Sequence, residues 1–276
     1  MRNVAPALAA NTSFRSLVVP REHGSWSLAL EPVALGLLVA PSWGGAWLAL
    51  AVVAGFFTRR PLKLAATLPP ADPRRAAAWR WTSLFAVVAV AALAGSAGAK
   101  VLNEQLSSVG ALWALWPLLL AVPFGAAFLW FDLRGEMREA EAEIAGSAAF
   151  ALVPATFATL AGWSAGAALA LAGLMLARSV PTVLTVRTYL RLAKGKPATA
   201  LPALAGAGGA LLAVIVLAVR GLVPSTAVTL ALLLAARTAW LLSPRAPLWS
   251  ARRAGITEAI LGAVFVVVLT LAYGVH

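Results

Sequence analysis

From residue 24 to residue 273 the chain is a succession of apolar stretches, each close to the length that crosses a bilayer and each closed by Pro, Gly or basic residues. A spanning helix takes about 20 mostly apolar residues. In lipid every backbone polar group must be paired inside the element, so a run of such stretches folds as helices. Nine stretches qualify: 24–40, 42–57, 81–99, 109–131, 144–162, 165–186, 200–219, 222–242 and 254–273. The sixth contains Pro181, a predicted kink. Gly and Ala recur in all of them, and small residues let helices approach closely in lipid. The expected fold is therefore all-α, a compact polytopic bundle of nine transmembrane spans over 20–276, preceded by a retained cytoplasmic tail at 1–19. The apolar run near the N-terminus, Val4 to Ala10, is a marginal signal core with no convincing cleavage site.

The distribution of basic residues sets the expected orientation. If the nine stretches alternate across the membrane, 20 of the 22 Lys and Arg residues fall on one side, and only Lys100 and Arg220 fall on the other. The rule that basic loops stay inside then predicts a cytoplasmic N-terminus and an external C-terminus. The formal charge of +12 is thus read as membrane orientation and not as a nucleic-acid footprint, since no basic run is interleaved with aromatics. The lipid bilayer is the expected partner. The chain has no cysteine, which removes thiolate metal sites and thiol nucleophiles from consideration. A phosphate-binding Gly loop and a Ser-His-Asp set are likewise absent from the sequence.

Three polar constellations interrupt this apolar pattern. The first is 20–31, where Arg21, Glu22 and His23 precede an apolar run that contains Glu31-Pro32. On a helix His23, Ser27 and Glu31 stand at i, i+4 and i+8, on one slowly drifting face. A carboxyl group inside hydrocarbon costs several kcal/mol and marks either a site or a buried pair. Two readings follow: a cytoplasm-facing polar pocket with His23 at its rim and Glu31 at its floor as an acid/base pair, or an interhelical ion pair whose natural partner is Arg178.

The second constellation is Asp132, Glu136, Glu139 and Glu143. If the segment is one helix, all four carboxylates share a stripe and repel one another, so something cationic should face them. A divalent metal such as Mg²⁺ with a phosphate ligand would serve, and so would the surplus arginines on the same side of the membrane. The third is basic: Arg59, Arg60 and Lys63 after the second stretch, and Arg187, Arg191 and Lys194 after the sixth. With Arg21 and Arg178 these arginines are candidates for binding phosphate, which Arg grips with two parallel hydrogen bonds. Attraction to anionic lipid headgroups explains the same residues.

The run Pro20-Arg21-Glu22-His23-Gly24-Ser25-Trp26, followed by an apolar helix with Glu31-Pro32, resembles the opening motif of the YwiC-like family of bacterial membrane proteins, with Ser25 where Ala is more usual. The resemblance continues through Arg60-Pro61-Leu62, the charged segment before Ile144-Ala145-Gly146, and Arg187 to Arg191. More distantly the chain is similar to the UbiA-type prenyltransferases, in its nine-helix layout and in the place of Arg60-Pro61-Leu62. That resemblance implies a cytoplasmic cavity for a prenyl or lipid phosphate. The prenyltransferases hold Mg²⁺-diphosphate with two Asp-rich motifs, however. Here the first corresponding loop has only Asp72 and the second has no acidic residue. Three functions are compatible with the sequence: binding or transfer of an anionic amphiphile, proton-coupled transport through Glu31, or a non-catalytic accessory role in the membrane.

Overall fold

The computed structural model describes residues 13–19, 23–104, 107–136 and 139–275, with backbone only at 23–25, 28, 103 and 104. Among these residues all regular structure is helical, and helix falls in each of the nine apolar stretches. A short α1 (Phe14–Leu17) leads into α2 (His23–Val39), α3 (Trp43–Thr67) and α4 (Pro73–Glu104). Next come α5 (Ser108–Trp113), α6 (Trp116–Arg134), α7 (Ala140–Ala151) and α8 (Val153–Leu160). The last four are α9 (Ala165–Ala193), α10 (Leu201–Val219), α11 (Thr226–Leu241) and α12 (Ala251–Gly274). Six segments are long and apolar enough to cross a membrane: those in α4, α6, α9, α10 and α12, and the joined pair α7–α8. Two more, Ala29–Val39 and Thr226–Leu241, are shorter apolar helices.

The helices overrun the apolar stretches at the basic ends. Helix α3 continues ten residues past Phe57, carrying Arg59, Arg60 and Lys63 on a helix where a loop is expected from hydropathy. Pro61 sits inside it without ending it. Helix α9 likewise runs to Ala193 through Pro181, so Arg187 and Arg191 are helical too. Hydropathy marks where a helix leaves hydrocarbon, whereas backbone hydrogen bonding carries it on into the polar layer. The stretch 109–131 divides into α5 and α6, and 144–162 into α7 and α8 at Leu152.

The centre of the bundle is the joined segment Ala140–Leu160. Of its most apolar window 72% is buried, more than in any other candidate span. Its sequence explains this: it is rich in Ala, Gly, Ser and Thr, so neighbours close in on every side. All eight residues of α8 are buried. Phe157 fills the space left by two glycines. A Cβ added at Gly36 would overlap the Phe157 ring, and one at Gly45 would lie 3.0 Å from its edge. The end of α8 is held by polar contacts from other helices. Thr159 donates to the Ala114 carbonyl at 2.6 Å, and the buried Lys100 donates to the Leu160 carbonyl at 3.1 Å. A cation at a helix C-terminus meets both unpaired carbonyls and the negative end of the dipole. Lys100, one of the two basic residues on the sparsely charged side, therefore has a packing role.

Candidate functional site

Six helices enclose a cavity of about 760 Å³. Each contributes the part that an alternating path places toward one side of the bundle: the first half of α2, the last turns of α3 and α6, α9 from Met175 onward, and the beginnings of α7 and α12. Six of the candidate site residues named from the sequence line it together: Glu31, Arg59, Glu143, Arg178, Arg187 and Arg191.

The floor is a buried charge network. Ser27 and Glu31, one turn apart on α2, face the same way, and the Ser27 hydroxyl donates to the Glu31 carboxylate. Arg178 on α9 approaches Glu31 at 3.8 Å, the pairing anticipated from sequence. The same guanidinium reaches Glu258 on α12, at 3.6 Å to its carboxylate and with a 2.9 Å donation to its backbone carbonyl. It also donates to the Thr182 hydroxyl at 2.5 Å. Arg237 on α11 pairs with the other oxygen of Glu258. Two arginines and two glutamates thus neutralise one another across four helices. A small void between Arg178 and Arg237, bordered by Thr182 and Thr238 and otherwise lined by Ala, Leu and Pro, offers about 10 Å³. Helix α12 comes this close because residue 262 is glycine: a Cβ there would strike the Glu31 carboxylate.

The walls are two further ion-pair clasps. Arg59 and Lys63, one turn apart on α3, both bind Asp132 at the end of α6, at 2.5 and 2.9 Å. Asp132 is 1% exposed, and the Arg59 guanidinium also lies 5.0 Å from the ring centre of Phe128, one turn earlier on α6. On the facing wall Arg187 of α9 bridges Glu139 and Glu143, both at 3.8 Å. Beyond it the rim is basic, with Arg191, Lys194 and Lys196.

The acidic stripe expected at 132–143 is corrected by this arrangement. Gly135 takes the left-handed conformation (φ 77°) and ends α6, and α7 begins only at Ala140. The carboxylates are therefore not on one helical face. Asp132 turns to α3, Glu143 and Glu139 turn to α9, and Glu136 is exposed at the break. Among the described residues no group of three or more His, Asp or Glu side chains is placed to hold a metal ion. The cationic counterpart of these acids is the set of basic residues on α3 and α9.

Arg60 does not line the cavity. It donates to the carbonyls of Val19 and Ser16, at 2.5 and 2.7 Å, and so fastens the segment after α1 against α3. Asp72 lies at the α3–α4 turn, where Arg74 binds it with side chain and backbone and holds its carboxyl below the usual range. Arg21 lies outside the described residues. His23 is the first residue of α2, two turns before Glu31, and its side chain lies outside them. Glu258 and Arg237 are the members of the floor that sequence reading passed over. The rule that marks Glu31, an ionisable residue within an apolar span, applies equally to both.

Compared with known proteins, the family model described as YwiC-like protein matches residues 19–158. No curated protein and no solved structure matches. The matched half carries Ser27, Glu31, Arg59, Lys63, Asp132 and Glu143, so it holds one wall of the cavity. The α9 and α12 residues that complete it lie beyond the match.

Proposed function

The chain belongs to the YwiC-like family, and from that premise we propose that it is a multi-pass bacterial membrane protein that binds an anionic amphiphile, such as a prenyl or lipid phosphate, in the charged cavity. In this reading the nine helical segments are nine spans in a UbiA-like layout, the N-terminus is cytoplasmic, and the cavity opens to the cytoplasm. The basic-residue distribution supports that orientation.

One observation carries the proposal. Seven cationic side chains line the cavity, and Glu31, Glu143 and Glu258 line it with them. Asp132 and Glu139 pair with Arg59, Lys63 and Arg187 from behind. The surplus positive charge lies at the Arg191, Lys194 and Lys196 rim, with Phe128, Val183, Val186 and Leu190 as an apolar wall. A positive, partly water-excluded cleft with one greasy side concentrates an anion that has a hydrocarbon part. Arg191, Lys194 and Lys196 receive the phosphate, where charge-assisted bonds are strongest. Glu31 and His23 are the acid/base pair if a transfer reaction follows.

Native mass spectrometry of the detergent-purified protein with prenyl diphosphates, with and without Mg²⁺, tests this. One retained phosphate ligand is expected, and its affinity should fall about a hundredfold in Arg191→Ala/Lys194→Ala, from roughly 1.5 kcal/mol for each charged contact. Binding of no phosphate-bearing compound in either condition refutes the proposal.

A second reading is favoured by the floor. The chain of charges from Glu31 through Arg178 and Glu258 to Arg237 carries ionisable groups away from the cavity into the bundle, as a proton-coupled transporter requires. Transport in proteoliposomes that depends on a pH gradient and is lost in Glu31→Gln would select it.

A further inference from the structure

The cavity is polar at both ends. Helix α9 lends it one continuous stripe, Met175, Ser179, Thr182, Val186, Leu190 and Lys194, at steps of three and four residues. At 1.5 Å per residue this stripe is about 28 Å long, far more than a headgroup needs. Its outer end is basic, and its middle offers Val183, Val186 and Leu190 beside Arg187, whose charge is taken up by Glu139 and Glu143. A prenyl tunnel would stay apolar beyond that point. Here the groove ends instead on Ser27, Glu31, Ser179, Thr182 and Glu258.

That inner end is rich in acceptors. Ser27 gives its hydrogen to Glu31, Ser179 gives its own to the Met175 carbonyl at 2.8 Å, and Thr182 gives its own to the Arg178 carbonyl at 2.7 Å. The Ser27 and Ser179 oxygens keep their acceptor capacity, and Thr182, which already accepts from Arg178 at 2.5 Å, keeps one further lone pair. The Glu258 carboxylate beside them is held by Arg178 and Arg237. A hydrocarbon terminus lying here would cover these groups without replacing their bonds to water, which is unfavourable.

We infer that the cavity takes a bipolar occupant: an anionic head at Arg191 and Lys194, an apolar middle, and a hydrogen-bond donor, such as a hydroxyl, at Ser179 and Thr182. Nine residues separate Thr182 from Arg191, so the two polar groups stand about 14 Å apart. This rests on the anionic-amphiphile reading and narrows it to compounds with a polar far end.

Decyl phosphate and ω-hydroxydecyl phosphate test it, compared by calorimetric titration of the purified protein in the same detergent. Hydrophobicity alone favours decyl phosphate, so the expected order is the reverse of the trivial one. The hydroxylated compound should bind about tenfold tighter, as one hydrogen bond implies. Ser179→Ala should cut that preference to about threefold or less, with Thr182→Val as the independent second variant. Decyl phosphate binding equally or more tightly overturns the bipolar inference and leaves the amphiphile reading standing. If neither compound binds, both fall. A preference that survives both variants overturns the assignment of the donor to Ser179 and Thr182.

Discussion

Replacing Arg178 by Met tests the floor of the cavity most directly. The substitution keeps an unbranched side chain that fills much of the space, and it removes the charge that holds three helices together. Arg178 is 2% exposed. It faces Glu31 at 3.8 Å and Glu258 at 3.6 Å, and it donates 2.5 Å and 2.9 Å hydrogen bonds to Thr182 and to the Glu258 carbonyl. At an effective dielectric of about 20, each of the two ion contacts amounts to roughly 4 kcal/mol of gross Coulomb attraction. Most of that gross value is offset by the cost of burying the charges. What remains in a single deletion is the penalty of a stranded carboxylate, about 3–5 kcal/mol. Glu258 keeps Arg237, so Glu31 is the group left stranded, held only by the Ser27 hydroxyl. Arg178→Met should therefore lose about 3–5 kcal/mol in denaturant titration in mixed micelles, read by tryptophan fluorescence. Adding Glu31→Gln should recover at least about 1 kcal/mol, since the stranded charge is gone. A single variant within about 1 kcal/mol of wild type, or a double variant whose losses simply add, would refute the account of the floor as a coupled network.

Three other outcomes follow from the packing. Gly262→Ala should behave as a displaced Glu31 and not as a broken helix: alanine is the better helix former by about 1 kcal/mol, and the atoms its Cβ meets are the mobile end of Glu31. A carboxylate pushed off Arg178 is stranded as it is in Arg178→Met, so the loss should approach the same value of about 3–5 kcal/mol, and the coupling between Arg178 and Glu31 should disappear from the double-variant cycle. Gly36→Ala should lose about 1–3 kcal/mol by overpacking, because the added Cβ meets the ring and Cβ of the fully buried Phe157; unchanged thermal stability would count against this packing. Asp132→Asn should cost about 3 kcal/mol or more by leaving Arg59 and Lys63 without their shared carboxylate, and Asp132→Asn combined with Lys63→Met should lose less than the two singles together.

Much of the fold is legible in the chain because a bilayer leaves little choice of structure. An apolar stretch of the right length must be helical there, and among the described residues helix falls in each of the nine stretches, while six helical segments are long and apolar enough to cross a membrane. The interruptions are less legible. Where α6 stops depends on Gly135 adopting a left-handed backbone, a choice that 132–143 read as one helix cannot reveal, and the acidic stripe dissolves with it. The overruns of α3 and α9 escape hydropathy for the opposite reason, since charged residues extend a helix in the polar layer without looking apolar. The site was half legible. Glu31 stands out by its cost in lipid, and Arg178 follows as its counter-charge. Glu258 and Arg237 obey the same rule but sit near the ends of apolar stretches, where a charge looks like a loop residue.

That the chain is helical, that charges fall within its apolar stretches, and which end of each helix is basic are local properties, written in hydrocarbon length, side-chain polarity and period. Which charges meet is not local. Arg178 is 147 positions from Glu31 and 80 from Glu258, and the glycine at 262 brings α12 within reach of α2. Pairing at that range is fixed by helix-to-helix packing in three dimensions. The same packing turned three scattered charge clusters into the floor, walls and rim of one cavity.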